Sequence, residues 1–298
     1  MSAPAASRAA VAAALVTVQI FFGLHYIAAK FIMREIPPAA WATIRIVAAA
    51  GLLLGFALAT RPHQLPRGRD MASIALFSVF GVVINQLLFV EGLHRTVTAH
   101  SAIINTSIPV ATLLIAILMH RERATVPKAT GIALSLVGVL YLIGRGGGGT
   151  EIVTGDVMTL TNALSYSFYL VISKPLLTRH SSLGVTAELL AFGAVGISLF
   201  GLPQLASLDL SAVSASVWWT AAFVVLFATV AAYLLNTWAL KRVESSLVAL
   251  FIYLQPLIAA ALGVILLGEP LGRETLISAA LIFTGVAVAL RGPVPAAA

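Results

Sequence analysis

The chain has 298 residues, of which 60% are apolar and 10% charged, and its mean hydropathy is +1.01. Because an ordinary soluble domain carries about 25% charged residues, this composition excludes a soluble globular protein. The net charge of +7 comes from basic residues that stand singly or in small groups between apolar runs, and there is no cysteine, which excludes disulfides and thiolate metal sites and predicts no nucleic-acid partner.

Apolar runs long enough to cross a hydrocarbon core of about 30 Å recur along the whole chain. They should be helices, since the open edge of a strand cannot be satisfied in lipid. The runs cover residues 9–31, 39–60, 71–93, 97–119, 127–144, 155–176, 184–206, 214–240, 245–267 and 273–291. The sequence therefore predicts an all-α integral membrane protein with ten transmembrane helices, the first of which is too long for a cleaved signal peptide.

The distribution of Lys and Arg predicts the orientation of these helices. Of the 18 basic residues, 12 lie in one set of alternate loops and termini, five lie in the other set, and Arg45 lies inside the second helix. Positively charged loops are retained on the cytoplasmic side. We therefore expect a multi-pass protein of a bacterial inner membrane with both termini in the cytoplasm.

An internal repeat is the most informative feature of the sequence. A shift of 147 residues superimposes seven identical positions without a gap: Leu93/Leu240, Arg95/Arg242, Ala102/Ala249, Pro109/Pro256, Glu122/Glu269, Gly138/Gly285 and Val139/Val286. A second shift, of 144, places Lys30 on Lys174 and Phe22 on Tyr166. The predicted repeats are residues 1–145 and 146–298, and the glycine run 146–149 joins them.

Each predicted repeat holds five helices, an odd number, so the second repeat would enter the membrane from the opposite face. Inverted repeats of this kind recur in carriers, in which two similar halves surround a central site near the midplane. Duplication could equally have built a stable bundle that transports nothing. The repeat favours a transporter that works by alternating access.

Several motifs match a known superfamily. They are the segment Trp41-Ala-Thr-Ile-Arg45, Gly92-Leu93, Pro109 and Glu122, and in the second half Ala239-Leu240, Pro256 and Leu267-Gly268-Glu269-Pro270. The chain resembles the ten-helix EamA-type carriers of the drug/metabolite transporter superfamily, and within it the YddG-type aromatic amino-acid exporters. The resemblance implies a basket of ten helices in which helices 1, 3, 4, 6, 8 and 9 line a central cavity. The first helix lacks the glutamate that small four-helix multidrug relatives use, which argues against proton antiport by that route.

Polar and aromatic side chains in the middle of these helices should face the interior, because they are costly against lipid. They predict a cavity for a flat apolar ligand with a polar end. The alternative is that the amides only join helices and the rings only pack, or lie in the interfacial belt. The predicted substrate-binding residues are Phe22, His25, Asn85, Phe89, Ser101, Asn105, Asn162, Tyr166, Tyr169, Asn236, Trp238 and Tyr253.

Two prolines and one arginine add further expectations. Pro109 and Pro256 occupy equivalent positions that we predict to be mid-helix kinks, serving either as flexing points for gating or as static bends. Arg45 could bind a carboxylate, but the sequence favours a snorkelling side chain or a structural pair. No carboxylate lies in the central part of the helices implied to line the cavity, which favours transport driven by the substrate gradient.

Enzyme motifs of the GxSxG, HExxH and Walker A types are absent from the sequence, so neither an enzyme nor an ATP-driven pump is expected. We predict an exporter of amino acids, preferably aromatic ones, that needs no cofactor or metal. The alternatives are an exporter of another small metabolite or an amphiphilic drug, and a passive channel. The expected partners are the substrate and the lipid bilayer, and the chain is expected to be a monomer or a homodimer.

Overall fold

The computed structural model describes residues 8–121, 124–145, 149–243, 245–269 and 271–289. Within these ranges every regular element is helical. Glu122 and Pro270 of the sequence motifs, most of the glycine run (residues 146–148) and the tail 290–298 lie outside the described part of the chain.

The first half of the chain contains seven α-helices, some of which continue into one another. Their bounds are α1 (Arg8–Ile32), α2 (Pro38–Thr60), α3 (Arg69–Ser78), α4 (Asn85–Arg95), α5 (Thr98–Asn105), α6 (Ile108–Leu118) and α7 (Val126–Arg145). A 3-10 turn at Pro62–Gln64 follows α2. A π-helical stretch at Val79–Ile84 joins α3 to α4 without a break.

The second half also contains seven α-helices. Its helices are α8 (Gly149–Arg179), α9 (Ser182–Ala206), α10 (Ala215–Phe223), α11 (Ala232–Leu240), α12 (Ser245–Leu250), α13 (Leu254–Leu267) and α14 (Arg273–Ala289). A π-helical stretch at Val224–Ala231 joins α10 to α11, and a 3-10 turn at Phe251–Tyr253 joins α12 to α13. The left-handed backbone of Gly268 (φ +65°) ends α13, a conformation that glycine adopts without steric cost.

Seven helical segments within the described ranges are long and apolar enough to cross a membrane. They are Ala9–Ile32, Pro38–Thr60, Arg69–Arg95, Thr98–Leu118, Val126–Arg145, Ser182–Ala206 and Ala215–Leu240. A shorter apolar segment spans Phe251–Leu267. The chain is therefore a multi-pass, all-helical membrane protein.

Both prolines lie inside an apolar helical span, as the sequence predicts, but each follows a short turn and is not enclosed by an uninterrupted α-helix. Pro109 is the second residue of α6, which begins after a turn at residues 106–107, and Pro256 is the third residue of α13, after the 3-10 turn. Proline is tolerated in the first turn of a helix, because the N–H group that it lacks has no intrahelical acceptor there. Each expected kink is thus a short turn that interrupts one apolar span between two shorter helices.

Close helix pairs hold the outer parts of the bundle together. α2 packs along α9, and α7 packs along α14. Small residues allow these backbones to approach, as is typical of helix contacts in membranes. Gly201 of α9 lies directly against Ala39 and Thr43 of α2. Gly51 of α2, by contrast, has no neighbouring atom within 4 Å of the position that a Cβ would occupy.

This contrast predicts opposite effects of one added methyl group on stability. Gly201→Ala would place Cβ against the Thr43 hydroxyl and the Ala39 carbonyl, and overpacking of this kind costs about 1–3 kcal/mol. Gly51→Ala meets no atom and should leave stability unchanged or slightly higher, since alanine favours helices. We expect a lower melting temperature in detergent only for Gly201→Ala. Equal melting temperatures of the two variants would contradict the close α2/α9 contact.

Candidate substrate cavity

A cavity lies at the centre of the bundle, between α1, α4, α8, α11 and the interrupted segments α5/α6 and α12/α13. It contains about 80 Å³ of free space, whereas pockets for drug-sized ligands measure about 300 Å³ or more. A ligand as large as an aromatic amino acid would therefore enter only after the walls move apart. The lining residues are Gln19, Phe22, His25, Tyr26, Arg45, Asn85, Gln86, Phe89, Asn105, Ile108, Asn162, Tyr166, Tyr169, Leu170, Ala228, Tyr233, Asn236, Thr237, Val248, Ile252 and Gln255.

Aromatic rings form one part of the lining. The Phe89 ring of α4 lies between two rings of α1: it stacks on His25 with a centroid distance of 5.2 Å, and the edge contact with Tyr26 is also 5.2 Å. In α8 the rings of Tyr166 and Tyr169 lie 5.8 Å apart. These distances are typical of favourable aromatic pairs, and the rings give the cavity flat, apolar walls.

A chain of amide hydrogen bonds forms the polar part. Asn85 of α4 donates to the side-chain oxygen of Asn162 in α8, and Asn162 Nδ2 donates to Asn105 Oδ1 of α5 at 2.9 Å. Asn105 Nδ2 then donates to the Tyr26 hydroxyl of α1 at 2.7 Å. Four helices are thus joined across the cavity by side chains whose polar atoms are all buried.

The hydrogen-bond network extends further, to Gln255 of α13 and Gln19 of α1. The Tyr26 hydroxyl donates to Gln255 Oε1 at 3.3 Å, and Gln255 Nε2 donates to Gln19 Oε1 at 2.5 Å. On the other wall, Asn236 Nδ2 of α11 donates to the Tyr166 hydroxyl at 2.9 Å. Hydrogen bonds between buried amides and hydroxyls polarise one another and fix their positions.

Arg45 is the one charged residue among the lining residues of the described chain, and it comes from α2. Its side chain is buried, with 2% of the residue exposed. The guanidinium donates to the Gln86 side-chain oxygen and to the His25 ring, where Nη1 lies 2.7 Å from Nε2. Gln86 in turn donates to Asn85 and to the Tyr233 hydroxyl, the latter at 2.9 Å. The structure thus places Arg45 in the cavity, neither snorkelling nor paired with an acid.

Comparison with known proteins supports the assignment of this bundle. The model of the EamA-like transporter family matches the chain twice, at residues 9–144 and at residues 153–291. The chain belongs to the EamA-like transporter family. Its members are membrane transporters, and the match covers nearly the whole sequence.

Individual relatives agree with this family. An uncharacterized transporter of Archaeoglobus fulgidus is 23% identical over 91% of this chain and 95% of its own length. The uncharacterized inner membrane transporter YedA of Escherichia coli is 26% identical over 93% of this chain and 90% of its own length. A solved crystal structure with 19% identity has a TM-score of 0.68 and covers 95% of this chain and 97% of that chain, which shows a shared fold.

Nine of the twelve residues predicted to contact substrate line the cavity of this EamA-like transporter. All of them are buried or partly buried, and they come from α1, α4, α5, α8 and α11. They are Phe22, His25, Asn85, Phe89, Asn105, Asn162, Tyr166, Tyr169 and Asn236.

The other three predicted residues lie away from the cavity lining. Ser101 is buried one turn from Asn105, where its hydroxyl faces α8. The Arg242 guanidinium stacks on the Trp238 ring, with its carbon 4.1 Å from the ring centroid. Tyr253 belongs to the 3-10 turn and contacts the Phe283 ring of α14. A substrate in the cavity would not touch these side chains without a rearrangement.

Three glutamines in the lining escaped the sequence analysis. Gln19, Gln86 and Gln255 all lie within apolar segments and line the cavity. Their signal was the one used for the asparagines, a polar amide in the middle of a membrane helix. Applying that criterion to every amide of the chain would have found them.

An ionic cluster lies at the end of the bundle where α1 ends. Lys30 Nζ of α1 lies 2.8 Å from Glu269 Oε1, which belongs to the turn after α13. The same carboxylate accepts from the Thr98 backbone N–H at 2.8 Å and from the Thr98 hydroxyl at 2.9 Å. This Glu269 cluster, made of Lys30, Thr98 and Glu269, joins both halves of the EamA-like transporter above the cavity.

At the opposite end of the bundle, side chains donate hydrogen bonds to backbone carbonyls of neighbouring segments. Lys174 Nζ of α8 donates to the carbonyl of Val243, and the Ser245 hydroxyl donates to the carbonyl of Leu170, both at 3.0 Å. Arg121, after α6, also donates to a carbonyl of α8 at 2.6 Å. Of these three contacts, the one from Arg121 joins the two halves of the chain, and the other two join α8 to the start of α12.

Proposed function

We propose that this EamA-like transporter exports amino acids, preferably aromatic ones, across a bacterial inner membrane by alternating access. In this proposal the chain crosses the membrane ten times, with both termini in the cytoplasm, and consists of two inverted five-helix repeats with their boundary near residues 145–146. The substrate binds in the central cavity, and the Glu269 cluster lies at the outer end.

The repeat is supported by the family match to each half separately and by the helix pairs. Under a shift of 147 residues the π-helical stretch Val79–Ile84 falls within the second one, Val224–Ala231. The interruptions before Pro109 and Pro256 also correspond. α2 pairs with its own equivalent, α9, and α7 pairs with its equivalent, α14, as a two-fold relation between the halves requires.

The cavity lining repeats in the same way. Shifting by 147 residues pairs Gln86 with Tyr233, and Phe89 with Asn236, all of which line the cavity. The smaller shift of 144 pairs further lining residues of α1 with lining residues of α8, namely Phe22 with Tyr166, His25 with Tyr169 and Tyr26 with Leu170. A central site made of equivalent positions from two inverted halves is the arrangement on which alternating access depends.

The observation that carries the substrate assignment is the division of the lining into aromatic walls and an amide network. Rings of α1, α4 and α8 offer flat apolar surfaces, while Asn85, Asn105 and Asn162 present buried amides. A ligand with an aromatic ring and a small polar end matches both surfaces. Since the free space is smaller than such a ligand, binding also requires the opening that alternating access provides.

The interrupted helices are suited to that opening. Asn105 is the last residue of α5, directly before the interruption, and Ile252 lies inside the 3-10 turn that precedes α13. Both line the cavity. In this proposal the interruptions that contain Pro109 and Pro256 act as hinges, because two short helices can change their mutual angle without breaking a continuous hydrogen-bond ladder.

The driving force in this proposal is the substrate gradient. None of the lining residues of the described chain is an aspartate or a glutamate, so the cavity itself offers no acid to exchange a proton with the substrate. Transport is then facilitated export or exchange.

Counterflow in proteoliposomes that contain only this protein tests the proposal. Vesicles preloaded with unlabelled phenylalanine, at equal pH on both sides, should accumulate labelled phenylalanine from outside above its equilibrium level. Preloading with glycine or with a sugar should not support accumulation. Acceleration by unlabelled substrate on the far side is a property of carriers that a channel lacks.

Two results would contradict the proposal. Labelled phenylalanine and tryptophan that fail to accumulate in vesicles from which folded, monodisperse protein can be recovered would exclude aromatic amino acids as substrates. Uptake at a rate that does not depend on the preloaded ligand would show that the protein is a channel and not a carrier.

A further inference from the structure

Arg45 carries a buried positive charge for which the cavity supplies no counter-ion. Its contacts are neutral: the amide oxygen of Gln86, the ring of His25, and the face of Trp41, whose centroid lies 5.9 Å from the guanidinium carbon. Its Nε–H, also buried, has no hydrogen-bond acceptor. One donor of the guanidinium is therefore unused.

The other elements that face Arg45 bring no acid either. α1 contributes His25, α4 contributes Gln86, and α11 contributes the Tyr233 hydroxyl, which is bonded to Gln86. In the described part of the chain, the carboxylates of Glu269, Glu91, Asp156 and Asp70 bond to side chains other than Arg45, and the buried Glu188 of α9 interacts with His180 and Arg67. Among the residues that the structure describes, no carboxylate neutralises Arg45, so its charge is available to a ligand.

A buried cation without a counter-ion is energetically costly, since desolvation of a single ion costs several kcal/mol even after relaxation. A carboxylate that enters the cavity would neutralise the charge of Arg45 and so remove this cost. It would also accept hydrogen bonds from guanidinium N–H groups that the neutral partners leave unsatisfied, such as Nε–H. The planar guanidinium matches a carboxylate better than any other side chain does, because two N–H groups can donate to its two oxygens.

We propose that Arg45 binds the carboxylate of the substrate, and that the cavity selects ligands by this group and not by their amino group. The expectation that the ligand is aromatic rests on the proposed function. The cavity offers an ammonium group only neutral amide and hydroxyl oxygens, beside a cation that repels it. An aromatic carboxylate without an amino group should therefore bind about as well as the amino acid, and an aromatic amine without a carboxylate should not bind.

Three probes of equal ring size separate these properties: L-phenylalanine, 3-phenylpropionate and 2-phenylethylamine. Binding to the purified protein in lipid nanodiscs is measured by calorimetry. We expect similar affinities for the first two probes, and an affinity for the amine lower by about 10- to 100-fold, the ratio that corresponds to one lost charged hydrogen-bonded contact. This comparison uses the unmodified protein and does not depend on the folding of a variant.

Variants then test the residue. Arg45→Gln should weaken both carboxylate probes by about 10- to 100-fold, and Arg45→Lys, which retains the charge without the planar fork, should weaken them less. Arg34→Gln is the matched control, because Arg34 is exposed and lies outside the cavity lining. A purely structural role of Arg45 would change the affinity for all ligands alike and would leave their ranking unchanged.

The outcomes separate this inference from the proposed function. If 3-phenylpropionate binds through Arg45 and phenylalanine does not bind, the result supports the carboxylate site and contradicts the proposed transport of amino acids. If phenylalanine binds equally to the parent and to Arg45→Gln, the function stands and the carboxylate site is overturned. Binding of 2-phenylethylamine as tight as that of the carboxylates would also overturn it, and binding of neither carboxylate to the parent would overturn both.

Discussion

Replacing Asn162 by alanine is expected to reduce counterflow of labelled phenylalanine by roughly tenfold or more. Asn162 of α8 accepts a hydrogen bond from Asn85 and donates one to Asn105, so its loss frees the amides on both sides. Released amides can turn, and displacement of a binding group by about 1 Å is enough for losses of this size. The cost in stability should be small, since a hydrogen bond between membrane helices contributes about 0.6 kcal/mol.

Thr161→Ala is the matched control for this prediction. Thr161 is the neighbouring residue of α8, but it is exposed on the outside of the bundle, and its hydroxyl bonds only the carbonyl of Val157 in the same helix. Initial rates, divided by the amount of folded protein recovered, should fall for Asn162→Ala alone. If both variants transport at equal rates, the amide network serves only to hold the helices together and does not position the substrate.

Removing the charge of Glu269 is expected to open the outer end of the cavity. Glu269 receives Lys30 from α1 and two hydrogen bonds from Thr98, and it is the group that joins these elements. Charge-assisted hydrogen bonds are about twice as strong as neutral ones, so Glu269→Gln should shift the population toward the outward-open form. We expect a cysteine in the cavity to react about five- to tenfold faster from outside.

The measurement is direct because the chain contains no cysteine. Ile108→Cys places a single thiol in the cavity lining, and a membrane-impermeant maleimide added to right-side-out vesicles reports its exposure. Glu91→Gln is the control, since Glu91 pairs with Arg95 one turn away on the same helix and, within the described residues, forms no ion pair with a second element. Equal acceleration by both variants, or none by Glu269→Gln, would show that the Glu269 cluster does not close the cavity.

Much of this arrangement follows from the positions of polar and aromatic residues in apolar runs. Asn85 and Phe89 lie four residues apart and Tyr166 and Tyr169 three apart, which is the spacing of residues on one helix face, and each pair lines the cavity. This works because regular helical geometry relates spacing to direction, and because polar groups avoid lipid.

The spacing argument fails where the helix is not regular. Tyr253 was assigned to the cavity on the assumption of a continuous ninth helix, but it lies in the 3-10 turn, which redirects its ring to α14. The two prolines indicated that the helices are irregular at these positions, but not that the irregularity is a short turn between two helices. Single-sequence reasoning also could not give the direction of Arg45, because its depth in α2 is compatible with snorkelling as well as with burial, and only the neighbouring helices decide between them.

The enclosure of the span Thr98–Leu118 has a consequence for the synthesis of the protein. It is the most buried of the seven candidate spans, and most of its contacts are with α8, α12 and α13, which are translated later. When the first half leaves the ribosome, Asn105 still lacks its partner on α8. The nascent first half therefore holds a helix whose Asn105 lacks one of its hydrogen-bond partners, and this span reaches its final packing only after α8, α12 and α13 have been made.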